Sequence, residues 1–209
     1  MLHQSTRLTG SIFGLCTAAV LLAGCGGGQA PPAPGQSPEQ PASQEHGEHQ
    51  AAKQTSATFE PYKEGATAIT YNPEQVPAGS HVNLSSERTN GQTKITVDVE
   101  GLQPNRDYGA HVHTKPCGPT GEDAGPHFQE KADPVKPSVD PAYANPQNEV
   151  WLDFHTDAQG NGTATAEGNW SFDNRQDAKS FVIHEMHTHT EPGKAGTAGG
   201  RLACTNATF

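Results

Sequence analysis

From Ala66 onward, polar and apolar residues alternate with period two. In Lys94-Ile95-Thr96-Val97-Asp98-Val99-Glu100 the three β-branched aliphatic residues share one face and the polar residues the other, the pattern of a strand with one face buried. Asn90-Gly91 just before it is a hairpin signal that pairs this strand with one around Val82 and Leu84. The same reading predicts strands at 67–71, 107–113, 150–156, 163–170, 180–184 and 201–205. About eight short strands give an all-β sandwich or barrel. Two connections, 114–149 and 185–200, are too long to be simple turns and have no periodicity of their own. Long ordered loops in compact β domains usually carry function, and both follow directly on a histidine-bearing strand.

The chain ahead of this pattern is of a different kind. A short segment with Arg7 leads into an apolar stretch from Ile12 to Ala23, which reads as a signal peptide over residues 1–24, too short for a membrane span. Leu21-Leu22-Ala23-Gly24-Cys25 resembles the lipobox of bacterial lipoproteins, which implies that Cys25 becomes the acylated N-terminus; an incidental cysteine after an ordinary signal is the alternative. Residues 25–56 are rich in Gly, Pro, Gln, Ser and Ala and read as a flexible spacer between lipid and domain, with His46 and His49 as solvated linker residues. The domain is expected at 57–209, exported and held at a membrane surface through Cys25.

Charge narrows the partners. The net charge is −10, and removing Arg7 with the signal makes it −11, so a basic face for nucleic acid is not expected. With 23 glycines and 17 prolines the composition suits a loop-rich β domain. Of the four cysteines, Cys16 leaves with the signal and Cys25 is the attachment point. An oxidising compartment favours a disulfide between Cys117 and Cys204, two separate buried thiols being the alternative.

In Gly109-Ala110-His111-Val112-His113, strand alternation puts both imidazoles on one face, about 7 Å apart, with Ala110 and Val112 on the other. The apolar pair would face the core, leaving a metal outside the barrel beneath the loops. A polar outer face is the competing reading of His-x-His alone. His127 in Gly125-Pro126-His127-Phe128 and His184 in Val182-Ile183-His184-Glu185 are further donors from separate elements. Four imidazoles suit copper, which holds nitrogen ligands in both oxidation states and moves one electron where zinc cannot.

Residues 109–113, 124–128, 182–185 and 198–204 stand in the order seen in copper/zinc superoxide dismutases, and the chain from about 57 to 209 resembles that family. The resemblance implies an eight-stranded antiparallel Greek-key barrel of immunoglobulin-like sandwich type with two long functional loops. It implies His111, His113 and His184 as copper ligands and His127 as the imidazole shared between copper and zinc. Arg201, in Gly199-Gly200-Arg201-Leu202-Ala203-Cys204, matches the arginine that guides the anion, and Cys117 with Cys204 matches the internal disulfide. Superoxide is then the substrate.

The chain also departs from that pattern. Family members hold zinc with two further histidines and an aspartate in the first loop, yet residues 128–154 contain no histidine. Asp133, Asp140 and Glu149 are loose carboxylates there and a poor substitute for imidazole. Copper alone is therefore expected, with the outer nitrogen of His127 free to bond a carboxylate or water, Glu130 being the candidate nearest in sequence. Zinc held by His127, carboxylates and His155 or His187 is the alternative. Counting from His184, Thr188 falls where the family keeps an aspartate linking the two metal sites. His155, His187 and His189 read as solvent-facing. A copper-binding or copper-buffering lipoprotein without enzymatic activity is the competing function, and Arg201 argues against it, since storage needs no anion guide.

Overall fold

A computed structural model describes residues 49–173 and 175–209, so the expected signal peptide, Cys25 and most of the spacer lie outside the described residues. Strands β1 (His49–Thr58), β3 (His81–Thr89), β4 (Gln92–Glu100) and β7 (Gly162–Gly168) form a sheet in the order β1-β3-β4-β7. The second sheet runs β2-β9-β8-β5-β6, from β2 (Ala68–Thr70), β9 (Arg201–Asn206), β8 (Ser180–His184), β5 (Asp107–His113) and β6 (Phe154–His155). All ladders between these strands are antiparallel.

Alternation governs the first sheet as the sequence predicts. On β4, Thr93, Ile95, Val97 and Val99 are buried, and on β3, Val82, Leu84 and Ser86 face them across the ladder. The β3–β4 hairpin closes at Thr89 opposite Gln92 through Asn90 and Gly91, whose φ values of 53° and 82° are the two left-handed residues a two-residue turn of this hand requires. Between the sheets these side chains meet Tyr108, Ala110, Val112, Phe128, Leu152, Phe181 and Ile183 in one core.

Two expectations are corrected. The spacer does not run to residue 56, because β1 begins at His49 and pairs with β3. Its residues 51–58 are mostly exposed and the strand holds the edge by backbone hydrogen bonds, so no apolar pattern announces it. The described residues hold nine strands, in line with the about eight expected. The strand expected at 150–156 pairs as a strand only over Phe154–His155. Trp151 and Leu152 still run beside β5, but the Ala110 N–H is taken by the Asp153 carboxylate at 3.1 Å, a side chain standing in for the ladder acceptor.

Candidate metal centre

β5 is buried along almost its whole length, because Ala110 and Val112 enter the core while His111 and His113 on the other face are covered by the two long loops. The two rings stand 6.4 Å apart, centroid to centroid. β8 brings His184 opposite Gly109, and an irregularity in the β8–β9 register between Ile183 and His184 turns the strand end there, with Arg201 of β9 alongside. The first loop makes a short helical turn at Gly121–Ala124 and returns beside β5: Phe128 N–H bonds the Val112 carbonyl at 2.8 Å, and the Phe128 ring is buried in the core. That anchor swings His127 onto the other two rings, 4.0 Å from His111 and 4.8 Å from His113.

One nitrogen from each of His111, His113, His127 and His184 lies within 4.8 Å of the other three. Four nitrogens at roughly 2.0–2.1 Å from one ion stand about 2.9–4.2 Å apart, so the cluster needs only small ring movements to close on a metal. The His113 and His184 Nε2 atoms are already 3.2 Å apart.

Hydrogen bonds select which nitrogen is offered. His113 Nδ1–H donates to the Gly125 carbonyl at 2.9 Å, leaving the Nε2 lone pair. His127 Nδ1–H donates to Glu149 Oε2 at 2.9 Å, again leaving Nε2. In His111 the roles reverse: Nε2 is bonded to Thr188 Oγ1 at 2.8 Å, while Nδ1 is buried without a partner. A buried, unpartnered nitrogen lone pair is costly unless something binds it, and a metal ion is the partner this geometry fits. The Gly199 carbonyl lies by the His184 ring without meeting hydrogen-bond geometry at Nδ1.

Electrostatics favours the same state. Burial pushes the His111 and His113 pKa values well below the ordinary imidazole range, aided by the neighbouring rings and Arg201. Burial lowers His184 to about 3. Neutral imidazoles are what a metal requires.

Glu149 is 1% exposed and accepts three hydrogen bonds: from His127, from Trp151 Nε1 at 2.8 Å, and from Gln129 Nε2 at 2.8 Å. The expectation that Glu130 holds His127 is overturned. His127 and Gln129 lie on the side of their segment that faces Glu149, whereas Glu130 turns the other way to Ser171 N and Arg175. The network runs on: Gln129 Nε2 also bonds Ser138 Oγ, which donates to Asp133 at 2.7 Å, so the wall formed by residues 133–139 hangs from the partner of His127. Asp140 caps the turn at Ala142. His155 is exposed and paired with Asp107, His187 with Asp153 and His189 with Glu191, so none of the three joins the cluster. The four-histidine set is the one group of potential metal ligands among the described residues.

Arg201 donates to the Gly121 carbonyl at 2.9 Å and lies 3.8 Å from Glu122. A Cβ on Gly121 would come within 2.7 Å of the Arg201 Cβ, so only glycine allows this approach. Cys117 and Cys204 are bonded at 2.03 Å, tying the start of the loop to β9 three residues from Arg201. Ala124, Val182 and Tyr71 pack around the bridge. His127, His184 and Arg201 open together into a cavity of about 790 Å³ whose rim includes Glu122, Lys136 and Val139.

Reading the sequence missed Glu149 as the partner of His127 and missed Asp153 altogether. An acidic residue inside the apolar run Val150 to Phe154 was the available signal for the latter.

Among solved structures, a double mutant of a SOD-like protein from Bacillus subtilis is similar at a TM-score of 0.50 and 20% identity, over 63% of this chain and 92% of that one. The Cu/Zn superoxide dismutase from Brucella abortus is similar at 0.50 and 18%, over 75% of this chain and 100% of that one. At such identities these relatives bear on the fold, which is the sandwich described above. The copper/zinc superoxide dismutase profile matches residues 78–207, a span that contains all four clustered histidines, Arg201 and both bridged cysteines, and by that match the chain belongs to the copper/zinc superoxide dismutase family.

Proposed function

We propose that this protein dismutes superoxide to oxygen and peroxide with copper as its only metal, outside the cytoplasm and tethered by a lipid on Cys25. The observation that carries the reading is the convergence of four imidazoles at one point beside a cavity that also holds Arg201. His111 Nδ1 and the Nε2 atoms of His113, His127 and His184 would hold copper, which supplies a one-electron couple that imidazole supports in both oxidation states.

The chain's own residues do the rest. The Arg201 guanidinium, oriented by the Gly121 carbonyl and half-buried at the cavity, attracts and aligns a small anion by charge-assisted hydrogen bonding. Glu149 keeps the proton of His127 on Nδ1, where a second metal would otherwise bind, which supports copper alone. Since the whole chain is acidic, attraction of superoxide depends on this local positive charge.

Superoxide decay measured on copper-loaded and metal-stripped protein tests the activity, and elemental analysis after refolding with both metals tests the cofactor. The reading expects fast decay only with copper, with one copper and negligible zinc per chain. Stoichiometric zinc required for activity would overturn the copper-only part. Copper bound without faster decay would leave the buffering function in its place.

A further inference from the structure

Asp153 and Thr188 lie outside the ligand set, yet they are connected to it by polar contacts of 2.7 and 2.8 Å. The Asp153 side chain is 10% exposed and Thr188 is 7% exposed. Asp153 Oδ1 accepts from Ala110 N–H at 3.1 Å and lies 2.7 Å from Thr188 Oγ1. Its Oδ2 accepts from Thr188 N–H at 2.8 Å and pairs with His187 Nδ1 at 2.9 Å. A carboxylate only accepts, so the single hydroxyl proton of Thr188 is donated to Asp153. The hydroxyl oxygen then presents a lone pair to His111 Nε2, 2.8 Å away, and that nitrogen must carry the ring proton. The lone pair of His111 is left on Nδ1, a buried atom without a partner, in a ring whose centroid lies 4.0 to 6.4 Å from those of the other three.

The backbone is shaped for this contact. A Cβ on Gly109 would fall 2.5 Å from the Met186 carbonyl, 2.7 Å from the Ala198 Cβ and 3.3 Å from Thr188 Oγ1. The absence of a side chain at Gly109 lets the loop after β8 settle onto β5 and brings the hydroxyl to the ring. The same carboxylate ties that loop to β5 through the Ala110 amide, so the ligand's tautomer and the loop's position are set together.

We propose that Asp153 and Thr188 are positioning residues that fix His111 in the Nε2–H tautomer and so aim its Nδ1 at the metal. The consequence for copper rests on the copper site argued above; the hydrogen-bond chain does not. Outer partners of metal-ligating histidines typically contribute about 10–100-fold to metal affinity or activity.

The test uses full-length, disulfide-bonded protein. Long-range proton–nitrogen correlation on the metal-free, histidine-labelled form reads the tautomer, and competition with bicinchoninate reads Cu(I) affinity. The unmodified protein should show His111 as a single Nε2–H tautomer. Thr188→Val keeps the shape and removes the acceptor, so His111 should become a tautomer mixture and Cu(I) should bind roughly 10–100-fold more weakly. Thr188→Ser should restore both. Should Thr188→Val lose its native spectrum, Asp153→Leu carries the test: with no acceptor left for its proton, the Thr188 hydroxyl is free to donate to His111, and the His111 nitrogen shifts must move toward the averaged values. Unchanged shifts and unchanged affinity in Thr188→Val, or unchanged shifts in a folded Asp153→Leu, overturn the proposal. A pure Nε2–H tautomer in protein that binds copper but does not dismute superoxide would count for the relay and against the enzyme.

Discussion

Glu149 offers the strictest test of the idea that hydrogen bonds hold the first loop. Its Oε2 accepts from His127 Nδ1 at 2.9 Å and Trp151 Nε1 at 2.8 Å, and its Oε1 accepts from Gln129 Nε2 at 2.8 Å. Glu149→Gln keeps the shape but replaces one acceptor oxygen by a donor. With the new carbonyl toward His127 and Trp151, the new amide nitrogen meets the Gln129 nitrogen. Gln129 cannot turn to relieve this, because its Oε1 accepts from Asp133 N at 2.9 Å and its Nε2 is shared with Ser138. With the carbonyl toward Gln129, two donors are stranded instead. Bonds to charged groups contribute about 1.5–3 kcal/mol and neutral ones about 0.5–1.5, so two weakened bonds and one stranded donor cost about 3–5 kcal/mol. Relief from burying a charge offsets part of this, leaving roughly 2–3 kcal/mol. For a domain of this size that lowers the melting temperature by about 5–10 °C. Urea and thermal unfolding of the metal-free, disulfide-bonded protein measure it. A loss below about 0.5 kcal/mol, or a gain, would refute the argument that the carboxylate clamps the loop.

Arg201→Glu should slow superoxide capture far more than it weakens copper binding, with Arg201→Lys between the two; equal rates at low ionic strength, where steering is strongest, would remove Arg201 from the mechanism. Cys117→Ser opens a link between residues 87 apart, for which chain entropy gives an upper figure of about 4.6 kcal/mol, and it should also lower activity by loosening Arg201. Unchanged melting and full activity would contradict this. The metal-free protein should lose stability on acidification: His111, His113 and His184 are depressed in the folded state, so below about pH 6.5 the unfolded chain takes up protons first. Their contribution is intact above that pH and falls by up to about 1.4 kcal/mol per unit for each ring as pH drops toward the folded value, about 3 for His184. Urea midpoints that stay flat from pH 7.5 to 5 would show that the rings are not buried neutral. Gly121→Ala should displace Arg201 and reproduce the loss of rate without loss of metal, which kinetics and elemental analysis separate.

The sandwich was legible because period-two alternation is a local property: Ile95, Val97 and Val99 share a face whatever surrounds them. The same rule put His111 and His113 together, and the order of the motifs brought in His127, His184 and Arg201. Strand β1 was not legible, since an exposed edge strand is held by its neighbour's backbone and needs no apolar face. Nor were the contacts that set each ring. Glu149 meets His127 across 22 residues and Thr188 meets His111 across 77, after two loops without periodicity have folded onto β5. Periodicity and spacing report on neighbours along the chain. The partner of a buried nitrogen is decided by whichever acceptor the packed loops bring within about 3 Å of it, and only the tertiary structure makes that choice.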